Sequence, residues 1–301
     1  MTSSSDYQMT PLGELIPRRS RGLLVDAWRR LLRSWNGRVG LAVVLAVIIL
    51  GIGTPIVAPY DPRVDSNLAE SVMPPSPQHI FGADRLGRDV FRRIMHGIRI
   101  SLTIGIIVVI ASGTAGTLLG LVAGYFSGTV DTIVMRTMDV LLAFPAILLA
   151  IAIVAVRGPG LTNAMIAVSV VGIPGYARVV RSMVLSLRER DFVMAARTVG
   201  ATDRRIMLQH ILPNSLSPLI VQATLGVGGA ILFAAALGFL GLGAQPPSPE
   251  WGAMIGDGIP FLRQAPHMVF FPGLAIMICV LGFNLLGDGL RDALDPQTTE
   301  R

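Results

Sequence analysis

The groups in this 301-residue chain that could do chemistry are few: four His, one Cys, and 25 basic residues that are all Arg, with no Lys anywhere. His79, His96, His210 and His267 are scattered over different loops and form neither an HExxH pair nor a Cys/His cluster, so no metal centre is expected. Cys279 stands alone in an apolar run and can make no internal disulfide. The missing Lys rules out a phosphate-binding loop of the GxxxxGK(S/T) type, whose ammonium group must reach the β- and γ-phosphates, and also Schiff-base cofactors such as pyridoxal phosphate. The chain is therefore expected to carry no catalytic residue and to bind no cofactor itself. Two charged constellations remain. Arg136 and Asp139, three residues apart at the edge of an apolar window, suit a gating or interfacial ion pair. Residues 178–205 concentrate seven Arg.

What must position these residues is a membrane. Hydrophobic residues make up 52% of the chain and charged residues 15%, against roughly a quarter charged in a soluble domain. Mean hydropathy is +0.63. With only 6% aromatics and 33 Gly, the apolar mass is aliphatic side chains among small residues, as helix packing in lipid favours. The formal charge of +6 would suit nucleic acid, but the Arg residues flank apolar runs instead of interleaving with aromatics, so the membrane surface accounts for them and no nucleic acid is expected.

Six uncharged windows, 39–58, 100–130, 140–156, 158–177, 211–249 and 268–287, predict an all-α protein with six transmembrane helices. The third is short and is extended back to about Thr132; the fifth is read as one helix over about 216–242. Arg counts set the orientation. With both termini inside, the cytoplasmic side holds seven Arg before the first span, seven in 178–205 and two at the C-terminus, against eight outside. The expected organisation is a cytoplasmic N-terminal tail (1–38) whose start, 1–21, reads as flexible, a retained anchor with no cleavable leader (39–58), an extracytoplasmic loop with an interfacial helix (59–99), a five-helix core (100–290) with its main cytoplasmic segment at 178–214, and a cytoplasmic tail (291–301).

Within that segment, residues 191–214 read DFVMAARTVGATDRRIMLQHILPN. A helix ending near Val199, a left-handed turn at Gly200, an N-cap at Thr202 and a stop at Pro213 make a helix–turn–helix hairpin. Small Ala195 and Ala196 would let another protein come close, and Arg188, Arg190, Arg197, Arg204 and Arg205 would steer it. The spacing resembles the EAA loop of permease subunits of bacterial ATP-binding cassette importers: Glu-Ala-Ala, three residues, Gly, nine residues, Ile-x-Leu-Pro. Here Met194, Ala195, Ala196 and Gly200 are followed by His210, Ile211, Leu212 and Pro213, so Met194 replaces the Glu and His210 the first Ile.

Three other stretches resemble the C-type permease subunit of the dipeptide, oligopeptide and nickel group. The first is APYDP at 58–62 with FGADRLGRDVFRR at 81–93 and GIRISL at 97–102. In it Val90, Phe91, Ile94, Met95 and Ile98 share a helix face opposite Arg88, Arg92 and Arg99, which predicts a helix lying along the outer interface. The second is LGFLGLGAQPPSPEWGAMI at 237–255, with Trp251 expected at headgroup depth. The third is FNLLGDGLRDALDP at 283–296, where Arg291 can pair with Asp288 or Asp295.

The resemblance implies the type I importer permease fold and a coupling loop carried by Asp191, Met194, Ala195, Ala196, Gly200, Asp203, His210, Leu212 and Pro213. It implies a B-type permease partner, two ABC ATPase subunits using ATP and Mg, an extracytoplasmic solute-binding protein, and a place in the bacterial cytoplasmic membrane. The implied cargo is a dipeptide or short oligopeptide, with glutathione, a nickel chelate or another peptide-like solute as alternatives. Readings of another class are an ion-coupled secondary transporter, which would need ionisable residues at mid-membrane depth, and a membrane enzyme, which would need a nucleophile with its base. The six windows offer neither.

Overall fold

The computed structural model describes residues 7–9, 15–17, 23–61 and 65–294. The far C-terminal pairing partner Asp295 and the tails' remaining residues lie outside that set. Among the described residues, five helices are long and apolar enough to cross a membrane: α2 (Trp35–Val57), α3 (Val90–Phe126), α6 (Leu161–Leu187), α10 (Leu216–Phe239) and α12 (His267–Leu294). The third expected span is not one rod. It is a pair, α4 (Gly128–Ala143) and α5 (Ala146–Arg157), bent by 92°. Phe144 is extended at φ −88°, ψ 139°, as the residue before a proline must be, and Pro145 starts the second piece.

Tyr7–Met9 (β1) pairs antiparallel with Leu15–Pro17 (β2), and α1 (Leu23–Arg33) precedes α2. Ser34 separates the two helices and caps α2, its hydroxyl accepting from the Gly37 N–H at 3.0 Å.

The expected interfacial helix does not exist as a separate element. The Asp89 carboxylate accepts from the Arg92 N–H at 2.9 Å and starts α3, which then runs unbroken for 37 residues to Phe126. Its first apolar face is covered by protein: Val90, Ile94, Met95 and Ile98 are 6% exposed or less and share a core with Trp251, Met254 and Phe283. Small residues set the helix spacing. A Cβ at Gly116 would lie 2.5 Å from Tyr176 Cβ, and one at Gly120 would lie 2.4 Å from the Ala177 carbonyl, so α3 and α6 meet almost backbone to backbone. Gly40 of α2 comes as close to α12, 2.2 Å from the Leu286 nitrogen. Two further cores complete the bundle, one around Ile104, Val154 and Leu237, the other at the end that carries residues 191–214, around Leu121, Val184 and Ile206.

Candidate coupling site

The hairpin is built outward from α6. Three Arg bind the lower half of that helix to α3 and α4. Arg181 forks onto the Asp131 carboxylate, Arg178 donates to Asp139 at 2.7 Å, and Arg188 donates to the Gly124 carbonyl at 3.2 Å and to the Ser127 hydroxyl. Asp139 therefore pairs across helices with Arg178, and the expected Arg136–Asp139 pair does not form; Arg136 is exposed. The packing of α4 on α6 brings the Arg178 guanidinium to Asp139, which spacing along α4 alone does not reveal.

Helix α7 (Asp191–Thr198) turns Val193 and Ala196 inward, where they meet Ile206, Ile211, Leu121, Tyr125, Val180 and Val184. Its end closes as expected. Gly200 has φ +82°; its N–H donates to the Arg197 carbonyl at 2.9 Å and the Ala201 N–H donates to the Ala196 carbonyl at 3.0 Å, the paired bonds of a Schellman motif. Thr202 then caps the next helix, its hydroxyl accepting from the Arg205 N–H at 3.4 Å.

Pro213 does not end that helix. α8 (Asp203–Arg205) widens into a π turn over Ile206–Ile211 and passes through α9 (Leu212–Asn214), with a single break at Ser215 before α10. The Leu212 N–H reaches back to the Met207 carbonyl in the five-residue register. A proline has no N–H to keep in the ordinary register, and side chains fill in. Asn214 Nδ2 donates to the His210 carbonyl at 2.6 Å and Ser215 Oγ to the Ile211 carbonyl at 3.0 Å.

Two contacts lock the hairpin onto the end of α3. The Tyr125 hydroxyl donates to Asp203 Oδ1 at 2.5 Å, and the Arg197 guanidinium lies 5.5 Å from the Tyr125 ring centroid. The neighbouring Tyr125 side chain is the leading cause that holds the Arg197 pKa above its ordinary value. The outward face is apolar for a solvent-facing surface: Phe192 is 40%, Met194 52% and Val199 84% exposed. Asp191, Ala195, Gly200 and Pro213 are exposed as well, while His210 and Leu212 are half-buried. Ala196 is 8% exposed and faces the core, so of the two expected small surface residues only Ala195 offers surface. The period of α7 places 193 and 196 on one face and 191, 194, 195 and 198 around the other.

The other end of α3 carries a network that motif spacing left unread. Asp84, 2% exposed, accepts from the Arg88 N–H at 3.0 Å, from Arg88 Nε at 2.7 Å and from Arg93. The four-residue step from Asp84 to Arg88 was the available signal. Trp251 is 1% exposed, packed inside the protein, and its indole donates to the Ile94 carbonyl at 3.0 Å. Glu250 caps α11 (Trp251–Gly258) by accepting from the Gly252 and Ala253 N–H groups, both at 2.8 Å, and burial pushes its carboxyl pKa up. Three of the four His are structural: His96 donates to the Ala58 carbonyl, His267 to Ala83, and His79 bridges Glu70 and Asp89.

Residues 116–300 match the family described as the binding-protein-dependent transport system inner membrane component. The chain belongs to that permease family. Residues 22–75 also match the N-terminal transmembrane domain of oligopeptide transport permease C, which makes this permease a C-type subunit of an ABC importer. It is 49% identical over 293 residues to the dipeptide transport system permease protein DppC of Alkalihalophilus pseudofirmus, with 96% of each chain covered. It is 47% identical over 272 residues to the glutathione transport system permease protein GsiD of Pectobacterium atrosepticum, with 90% of each covered. Among solved structures, an inward-facing MetNI methionine ABC transporter chain superposes with a TM-score of 0.54 at 19% identity, covering 67% of this permease and 97% of that chain, a likeness of fold.

Proposed function

We propose that this permease forms, with a B-type sibling, the path by which dipeptides and short oligopeptides enter the cell, and that force reaches it at the hairpin around Gly200. Two ATPase subunits hydrolyse ATP with Mg and press on Asp191, Met194, Ala195 and the Gly200 turn. A solute-binding protein delivers cargo at the opposite face, and both termini lie in the cytoplasm. The single observation that carries this reading is the hairpin itself: a closed turn with an exposed apolar tip, fixed to the end of a helix that runs unbroken to the outer network. At about 1.5 Å per residue, α3 spans roughly 55 Å, so displacement of Tyr125 is passed along one rigid element. Met194, where the EAA loop has Glu, makes this contact apolar in place of an ion pair.

The test is uptake by the reconstituted complex, with a cysteine at Ala195 for cross-linking. ATP-dependent peptide uptake, with capture of an ATPase subunit by the cross-linker, supports the reading. Uptake that persists without ATP on an ion gradient overturns it. The relatives named for glutathione favour that tripeptide as the second cargo, and saturation of the binding protein by one or the other decides between them.

A further inference from the structure

A cavity of about 400 Å³ lies among α3, α6 and α10, with Ser112, Tyr176, Gln222 and Phe233 in its wall. A second, of about 580 Å³, lies among α6, α10 and the end of α12, with Val179, Asn214, Gln222 and Arg291 in its wall. Gln222 and Leu225 belong to both, so the two join into one trough that runs along α10 toward the hairpin end. Glycine keeps it open. A Cβ at Gly175 would meet only Gln222 Nε2, at 3.9 Å, and one at Gly229 would meet nothing within 4 Å.

Several polar groups of the walls are already engaged. Ser112 Oγ donates to the Val108 carbonyl at 2.7 Å, the Tyr176 hydroxyl to the Gln222 carbonyl at 3.4 Å, and Asn214 Nδ2 to the His210 carbonyl at 2.6 Å. Arg291, at the hairpin end, is the one charged side chain in either wall among the described residues. The Gln222 side chain, where the cavities join, is free: among the described residues neither its amide oxygen nor its nitrogen has a hydrogen-bond partner. It is the seventh residue of α10, roughly 9 Å into a membrane span, where lipid supplies no hydrogen bond and an idle amide is costly.

A peptide unit is the complement of that amide. Its carbonyl accepts from Nε2–H while its N–H donates to Oε1, a pair of bonds that every dipeptide can make whatever its side chains. Being neutral, the contact is weak enough to let cargo leave again. Resting on the transport reading above, we propose that Gln222 is a cargo-binding residue whose amide hydrogen-bonds the peptide bond of a dipeptide or short oligopeptide as it moves along the trough.

The probes are Ala-Ala and its ester analogue alanyl-lactate, in which an oxygen replaces the peptide N–H and cannot donate. Each is preloaded to saturation on the binding protein, which sets that protein's own selectivity aside, and uptake is followed in proteoliposomes holding both permeases and the ATPase subunits. The wild-type complex should import Ala-Ala about fivefold faster than the ester. Gln222→Met keeps the length of the side chain and loses the amide, so the preference should fall to about one. Thr224→Val, outside both walls, should keep it. Gly229→Leu tests the trough without touching the amide: its side chain enters open space and should largely abolish uptake while ATP hydrolysis stimulated by the loaded binding protein persists. Equal import of the two probes by the wild type, undiminished preference in Gln222→Met, or full uptake in Gly229→Leu overturns the assignment. Loss of the sibling permease from Gly229→Leu complexes gives the trough to a partner helix and overturns it too. Wild-type uptake that needs no ATP is the separate failure of the transport reading.

Discussion

Tyr125 and Asp203 lie 78 residues apart in the chain, yet the phenol donates to the carboxylate at 2.5 Å and so joins the end of α3 to the start of α8. The hydrogen bond and the Val193, Ile206 and Ile211 core make the hairpin part of the packed bundle. Tyr125→Phe removes the bond while keeping the ring under Arg197. Asp203 is exposed, which limits the loss to about 1 kcal/mol of local stability. Faster hydrogen exchange across 191–214, with exchange in α10 unchanged, is the expected result; unchanged exchange in the hairpin would remove Tyr125 from the coupling account.

Gly200 can be tested on backbone grounds alone, because a Cβ there would meet nothing within 4 Å while φ is +82°. Gly200→Val therefore adds left-handed strain, about 1–2 kcal/mol, without a clash. The variant should insert and assemble normally, hydrolyse ATP, and transport less cargo per ATP than the parent. A normal transport-to-hydrolysis ratio would count against force entering at this turn.

The closeness of α3 and α6 depends on glycine. Gly120→Val places a Cβ 2.4 Å from the Ala177 carbonyl, a backbone atom that cannot turn aside. Separation of the helices should cost about 1–3 kcal/mol and lower the apparent melting temperature in detergent. Gly113→Ala is the matched control, since its Cβ would stand at ordinary contact, 3.6 Å from the Tyr176 ring. Equal melting of the two variants would refute the close-approach argument.

His79 makes the loop over residues 65–89 pH-dependent in a defined direction. Its Nδ1 lies 2.8 Å from Asp89 Oδ2 and its Nε2 3.0 Å from Glu70 Oε2, and the hydrogen bond to Asp89 leads in raising its pKa above the ordinary value of 6.5. A raised folded-state pKa stabilises fully below the unfolded value, and the contribution is lost as pH climbs through the folded one. Amide protection in 66–89 should therefore fall as pH rises above about 6.5, and His79→Gln should flatten that dependence. A wild-type loop whose protection rises over the same range would reverse the assignment.

How far local sequence determined this protein is clearest at the hairpin. Gly200, Thr202 and the apolar period of 193, 196, 206 and 211 specify a turn, a cap and a buried face, because each acts on backbone and side-chain atoms a few residues away. The apolar windows likewise mark the spans, since burial in lipid is a property of composition. The break at Phe144–Pro145 was readable too, from the restriction proline places on its predecessor, but the 92° angle between the pieces was not.

Tertiary structure decided which partner each long polar side chain takes. Arg178 reaches Asp139 from 39 residues away and Trp251 finds the Ile94 carbonyl across 157, so spacing within one helix pointed to Arg136 and no local signal pointed to Ile94. An amphipathic face records that something apolar covers Val90, Ile94 and Ile98, and only the packed fold says that the cover is α11 and α12 and not lipid. The same holds for Ala196, turned into its own core, and for Pro213, carried through in a widened helix. Periodicity is a short-range record of which side is buried. The identity of the burying surface is a long-range fact, set when distant helices pack and their charges and donors find acceptors.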